Sequence, residues 1–239
     1  MAQGSGKYPE VKQFRYSSDN LGYLVYSGQY AVAVDGGAVE DILLFLQSNN
    51  ISLQYIANTH SHGDHTVGNK KLLENSDARY IDFKALTTSG LDVDGFPFQI
   101  YKTPGHTADS IILRVGDKLI TGDTLFIGKV GRCFSGDLKE FLKSIKIIMD
   151  FPDDSIIYPG HDYVHEYMEF VRKFDCCRQY IDKVTASYNP ELVRSTLGLE
   201  KKLNPFLRIN DKKIIALLEE RGLAAKTEYD RWQSMISLM

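Results

Sequence analysis

Cysteine is scarce in this 239-residue chain: Cys133 and the neighbouring Cys176 and Cys177 make an odd three without framework spacing. That argues against a disulfide-built scaffold and fits a reducing compartment, so the cytoplasm is expected. A basic surplus is also missing. The 28 Lys and Arg stand against 31 Asp and Glu, for a formal net charge of -3, and nothing pulls the chain generally toward nucleic acid or anionic lipid. No apolar run approaches the roughly 18 residues that cross a bilayer. The opening MAQGSGKYPE has neither the basic nor the apolar region of a secretory signal. Residues 1 to about 9, with Gly4, Ser5 and Gly6, read as a flexible leader. Solenoid-period repeats, low-complexity tracts and long charge blocks are absent too. What remains is a globular chain that acts on a small molecule, with no nucleic-acid or membrane partner.

The content of 43% hydrophobic and 11% aromatic residues supports a full core. Segments 21–26 (LGYLVY) and 30–35 (YAVAVD) read as early strands. Val39, Ile42, Leu43 and Leu46 then repeat at helical spacing until Asn49 and Asn50, and 53–57 resumes as a buried strand. Segments 78–81, 96–102, 110–115 and 118–121 form a second strand-rich block, with a turn at Gly116 and Asp117. Asp137 and Glu140 form a capping-box pattern before an amphipathic helix carrying Leu138, Phe141, Leu142, Ile145, Ile148 and Met149, closed by Pro152. A strand at 155–158 follows. From about residue 164 the chain reads as all-helical, with stripes at Val164, Tyr167, Met168, Val171 and Phe174 and at Ile214, Ile215, Leu217 and Leu218. The expected domains are 10–163, α/β, and 164–239, helical.

Chemistry concentrates in THSHGDH (59–65), directly after a predicted strand. Residues two apart in extended chain share a face, so His60 and His62 can grip one ion. The turn at Gly63 redirects Asp64 and His65 toward a second site. Three further candidates each end a predicted strand beside glycine: Gly105-His106, Gly122-Asp123 and Gly160-His161. Strand ends on one sheet edge converge, and seven ligands suffice for two ions if one carboxylate bridges. Asp123 is the natural bridge, because imidazole offers only one free nitrogen. The sixth histidine, His165, reads as ordinary helix surface. Asp35, in a VDGG turn, reads as turn chemistry in preference to a carboxylate orienting a ligand histidine. Cys176 and Cys177 read as small core hydrophobes in preference to a redox pair.

These segments, with TPGHT (103–107), TGDTLF (121–126), GRCFSG (131–136), YPGHDY (158–163) and NPFLR (204–208), resemble the metallo-β-lactamase superfamily, in its glyoxalase II (hydroxyacylglutathione hydrolase) branch. The matches run in the family's order over nearly the whole chain. The resemblance implies an αββα metallo-β-lactamase-like sandwich with a small helical C-terminal domain and metals at one edge. It assigns His60, His62 and His106 to one ion, Asp64, His65 and His161 to the other, and Asp123 to both. The β-lactamases of the superfamily commonly carry cysteine in place of Asp123 and lack a counterpart of His65. Its nucleases add an inserted domain or an RNA-gripping arm that this chain lacks.

The implied activity is binuclear metal-dependent hydrolysis of a thiol ester of the S-acylglutathione type, through a metal-bridging hydroxide made available near neutral pH by coordination. Asp64 and Asp123 are the carboxylates expected at the reacting water, with a general-base role for Asp64 as the alternative to ligation. A thiolate leaving group needs little help from an acid, since its parent thiol has a pKa near 8.5. Zinc is the default metal, and the same donors accept iron or manganese. In the resembling family a basic residue and an aromatic hydroxyl of the glycine-rich segment hold the thiol carrier, with the tyrosine after the last ligand histidine. Arg132 and Tyr163 match two of these roles. Phe134 stands where the hydroxyl is usual, Cys133 replaces an aromatic, and Lys226 to Arg231 depart from the family's basic tail. The alternative activity is a mononuclear iron persulfide dioxygenase.

Overall fold

The computed structural model describes residues 9–82, 90–93 and 96–239, so the leader expected at the start lies almost wholly outside the described residues. The first sheet runs in the order Glu10–Tyr16, Asn20–Ser27, Tyr30–Val34, Ser52–Ala57, Arg79–Tyr80. Its first three strands are antiparallel neighbours and the last two join in parallel, one through the crossover helix Val39–Ser48. Period-two alternation explains how this sheet is covered on both faces. Leu21, Tyr23, Val25, Val32 and Val34 face the core shared with the second sheet. Leu24, Ala31, Ala33 and Ile56 face the other way, against Val39, Ile42 and Leu46 of the crossover helix and Leu72 of the helix Asn69–Glu74.

The second sheet runs Ser195–Thr196, Ile156–Pro159, Lys118–Gly122, Ile111–Val115, Phe96–Lys102, Gly90–Val93. Phe98, Ile112, Leu119, Ile120 and Ile157 are fully or almost fully buried there. The helix Leu138–Met149 adds Phe141, Ile145 and Ile148 to the same core. Its N-cap is Asp137, whose side chain accepts the Lys139 and Glu140 N–H groups. The order is helix layer, sheet, sheet, helix layer, the expected α/β sandwich. A reciprocal capping box closes the last helix, Glu228–Ile236, at Thr227 and Asp230. That helix sets Trp232 edge-on against Phe141, with its indole N–H on the Leu138 carbonyl. A side chain of this size contributes about 1.5–3 kcal/mol by burial, which anchors the C-terminal helices to the sandwich.

One expectation fails: the region after residue 164 is not all-helical. Ser195–Thr196 pairs antiparallel with Ile156–Pro159 and forms the edge of the second sheet. Two residues carry no readable alternation, and pairing with a distant strand overrides the helical surroundings. Three further elements go beyond the sequence reading: the single-turn helix Gly63–Thr66, the helix Asn69–Glu74, and a hairpin of Leu125–Phe126 with Lys129–Val130. Among the described residues no helix is long and apolar enough to cross a membrane.

Candidate metal centre

All seven predicted ligands meet at one edge of the sandwich, where strands or the loops after them end. His60 and His62 follow Ser52–Ala57, and His62 caps the short helix that turns Asp64 and His65 inward. Asp123 follows Lys118–Gly122, and His161 follows Ile156–Pro159. His106 lies in the loop between Phe96–Lys102 and Ile111–Val115. Close approach requires glycine at two of these corners. A Cβ on Gly160 would stand 2.2 Å from Asp123 Oδ1, and one on Gly122, at φ +48°, would stand 2.4 Å from Thr59 Oγ1.

The outer nitrogens of four imidazoles are committed to oxygen acceptors. His65 Nδ1 donates to Asp35 Oδ2 at 2.9 Å and His161 Nδ1 to Asp19 Oδ1 at 2.8 Å. His106 Nδ1 donates to the Arg132 carbonyl at 3.0 Å. Thr59 Oγ1 spends its proton on Asp35 Oδ2 at 2.7 Å and so accepts from His60 Nδ1 at 3.1 Å. With the outer nitrogens so engaged, each inner nitrogen faces the centre, where it holds a proton or offers a lone pair to a metal. His62 Nδ1 lies 3.0 Å from both His60 Nε2 and His106 Nε2, and His65 Nε2 lies 3.2 Å from His161 Nε2. Asp64 Oδ2, held by Asn20 Nδ2 at 2.9 Å, is 3.4 Å from His161 Nε2 and 3.6 Å from His65 Nε2.

Asp123 stands between the two groups. Its Oδ2 is 3.4 Å from His106 Nε2 and 3.5 Å from His161 Nε2, while its buried Oδ1 has no hydrogen-bond partner, with His65 Nε2 at 3.4 Å. Lone pairs turned toward each other repel unless a cation or proton lies among them. Metal bonds of about 2.0–2.1 Å meeting near the tetrahedral angle set donors about 3.3 Å apart. The observed 3.0–3.6 Å spacings match that. The donor set fits divalent ions at two adjacent positions.

Electrostatics divides the imidazoles. Burial, helped by the His65 charge, lowers His60 to about 4, and burial with the His62 charge lowers His106. For His65 burial also pulls downward, but Asp35 and Asp123 outweigh it and lift the group to about 11. His161 is raised in the same way, with Asp123 and Asp19 overcoming burial. Burial would raise Asp123, yet the His161 and His65 rings hold it far below the usual carboxylate range. At His65 the charge that the carboxylates demand is met by either a proton or a metal ion.

A cavity of about 410 Å³ opens over the centre, lined by Phe126, Arg132, Phe134, Tyr163, Glu166 and Tyr167 beside the ligands. Tyr163 stacks on His161 with centroids 5.0 Å apart and planes 4° apart. Phe134, 63% exposed, sets its ring edge-on to His62 and His106. The predicted substrate-side residues Arg132, Phe134 and Tyr163 thus share this mouth. His165 is exposed, its ring against Tyr188 and away from the centre.

Asp35 corrects the sequence reading. It occupies a turn conformation, φ +50°, but it is fully buried and accepts from His65, the Thr59 N–H and the Thr59 hydroxyl. It orients a ligand-type histidine as well as making the turn. Its signal was an aspartate rather than an asparagine before Gly-Gly at a strand end. Asp19 and Asn20 were missed altogether, since the side chains they hold lie far along the chain.

Known families share this pattern. Residues 162–238 match the model for the hydroxyacylglutathione hydrolase C-terminus, and residues 20–81 and 78–161 match the metallo-beta-lactamase superfamily. A hydroxyacylglutathione hydrolase of Idiomarina loihiensis is 33% identical over 211 residues, covering 82% of this chain and 83% of its own. One of Rhizobium meliloti is 34% identical over 234 residues, covering 87% and 90%. In fold, ETHE1 from Myxococcus xanthus superposes with a TM-score of 0.69 at 23% identity, covering 96% of this chain and 91% of its own. The chain belongs to the hydroxyacylglutathione hydrolase family of the metallo-beta-lactamase superfamily, and it is a thiolester hydrolase.

Proposed function

We propose that this enzyme hydrolyses S-acylglutathione-type thiol esters at a binuclear centre, in the cytoplasm, with residues 10–163 carrying the metals and 164–239 forming a helical C-terminal domain. His60, His62 and His106 would hold one divalent ion, Asp64, His65 and His161 the other, and Asp123 both. Zinc is the first expectation. The observation that carries this reading is the convergence of imidazole nitrogens on the Asp123 carboxylate, with His106 and His161 Nε2 at its Oδ2 and His65 Nε2 at its buried, unpartnered Oδ1. The bound pair would supply Lewis acidity and a water whose pKa falls from about 15.7 toward 7.

The chain's own residues do the positioning. Asp35, Asp19 and the Arg132 carbonyl fix three imidazoles, and Asn20 orients Asp64, which is half exposed toward the mouth. The Arg132 guanidinium is placed to attract a carboxylate of the carrier thiol. The exposed Phe134 edge gives the acyl-thiol stem an apolar contact, and Tyr163 offers a hydroxyl beside His161. The relatives are named for hydroxyacylglutathione hydrolysis, which supports glutathione as the carrier. The mononuclear iron reading leaves His65 and His161 facing each other at 3.2 Å with no ion of their own, and no observation favours it.

The test is thiol release from S-lactoylglutathione by fully metallated protein, followed with a thiol reagent. Turnover proportional to metal content is expected. Absence of release, with oxygen uptake on glutathione persulfide instead, would overturn the proposal.

A further inference from the structure

Outside the lining of the ligand-edge cavity, the short helix Asp175–Arg178 places Cys176 and Cys177 side by side, with Sγ atoms 3.4 Å apart. Neither is in a disulfide. Cys177 is fully buried, whereas Cys176, 6% exposed, lines a cavity of about 290 Å³ walled by Lys173, Phe174, Ile214, Leu217 and Glu220. Arg208 clamps the pair from behind. Its Nη1 donates to the Cys176 carbonyl at 2.6 Å and stands 3.8 Å from Cys177 Sγ.

This geometry is selective. Consecutive Cα atoms are about 3.8 Å apart, below the ~4.4 Å lower limit of ordinary disulfides, so the neighbours cannot close an unstrained S–S bond. Two bonds of about 2.3 Å, the length of a zinc–thiolate bond, meeting near a right angle span about 3.3 Å. The sulfurs are therefore spaced for one bridging atom. A tetrahedral divalent ion needs four donors, and the side chain that the described residues set against the sulfurs is the Arg208 guanidinium, which holds the nearby Asp211 carboxylate. A trivalent centre that brings its own substituent needs only two.

We propose that Cys176 and Cys177 form a bidentate site for trivalent arsenicals, with the arsenic bridging the sulfurs and its organic substituent in the cavity. The space of about 290 Å³ has room for an aryl group, which would lie against Phe174, Ile214 and Leu217 beneath the charged rim of Lys173, Asp175, Lys213 and Glu220. The step balances without oxidation. An aryl arsenoxide exchanges its oxygen for two As–S bonds, both thiol protons leave with that oxygen as water, and arsenic stays trivalent. The first As–S bond is expected at Cys176, whose thiol the Cys177 hydrogen bond, against burial and with help from Arg208, pulls below the usual range while Cys177 itself is pushed up.

The test treats metallated full-length protein with phenylarsine oxide, reads intact mass, and maps N-ethylmaleimide labelling by peptide. Expected are one arsenical per chain, protection of Cys176 and Cys177 but not Cys133, and reversal by a dithiol. Retention should fall at least about tenfold in Cys176→Ser or Cys177→Ser, because a single thiol loses ring closure, and stay unchanged in Cys133→Ser. No adduct in the unaltered protein, protection at Cys133, or undiminished retention in either single variant would overturn the site. Should the serine variants fail to fold, the labelling map of the unaltered protein decides alone.

Discussion

The two halves of the centre use similar imidazoles under opposite fields. His60 and His106 are held neutral by burial and neighbouring histidines, whereas His65 and His161 are backed by Asp35 and Asp19 and face Asp64 and Asp123. Burial is shared by all four, so the carboxylates make the difference. In the proposed two-ion centre the first position would be preset for a cation, and the second would exchange a proton for it. Asp123 is the element common to both.

Removing that element should have the largest effect. Asp123→Ala is expected to lower turnover by at least about 10³-fold and to cut bound metal from about two ions to one or fewer, since each ion loses a ligand. Normal turnover with paired metal would end the bridging role. Next comes Asp35→Asn, which keeps the shape but removes the charge behind His65. Metal affinity at the second position should fall about 10–100-fold, the usual cost of losing such a partner, while the first position, which Asp35 reaches through Thr59 and His60, should lose less. Direct metal titration separates the two, and equal losses would erase the contrast.

Glu200 supplies a control for the role of the imidazoles. It is as buried as Asp123 but has no histidine beside it, and it accepts the Gly128 N–H at 2.8 Å. Burial outweighs the lowering by Gly128, Ser195 and Asn204 and raises it to about 7. The folded chain then keeps a proton that the unfolded chain has lost above about pH 4.5. This stabilisation is complete below that pH and disappears as pH rises through 7. Between pH 6 and 8 the unaltered protein should lose about 1.4 kcal/mol relative to Glu200→Gln. Denaturant melts at both pH values check this, and parallel curves would contradict it. The smallest effect is expected at the mouth. Phe134→Ala should raise KM about threefold, or about 0.6 kcal/mol by loss of an aromatic contact, with metal content intact. A drop in bound metal would mean that Phe134 supports His62 and His106 rather than substrate.

The converging donors were legible because THSHGDH packs four of them into six positions and each later one ends a strand beside glycine. The strands at 21–26 and 30–35 were legible as short apolar runs, whose odd and even positions serve different cores, and the sandwich was legible from the family resemblance. Gly63–Thr66 and Ser195–Thr196 were not, because they are too short to show a period. Nor were the carboxylates behind the ligands. Asp19 meets His161 across 142 positions, a pairing created only by the fold, and Asp35 carries a turn signal that hides its second role.

Calorimetric titration of metal-stripped protein with zinc, repeated in buffers of different ionisation enthalpy, tests the shared two-ion centre most directly. Two equivalents should bind near neutral pH. The first should release almost no proton from His60 or His106, and the second should displace protons from the group set by His65, raised to about 11. Raising the pH should strengthen the second step and leave the first nearly flat. One equivalent per chain, or two with equal proton release, would contradict a centre built of one neutral and one carboxylate-backed half.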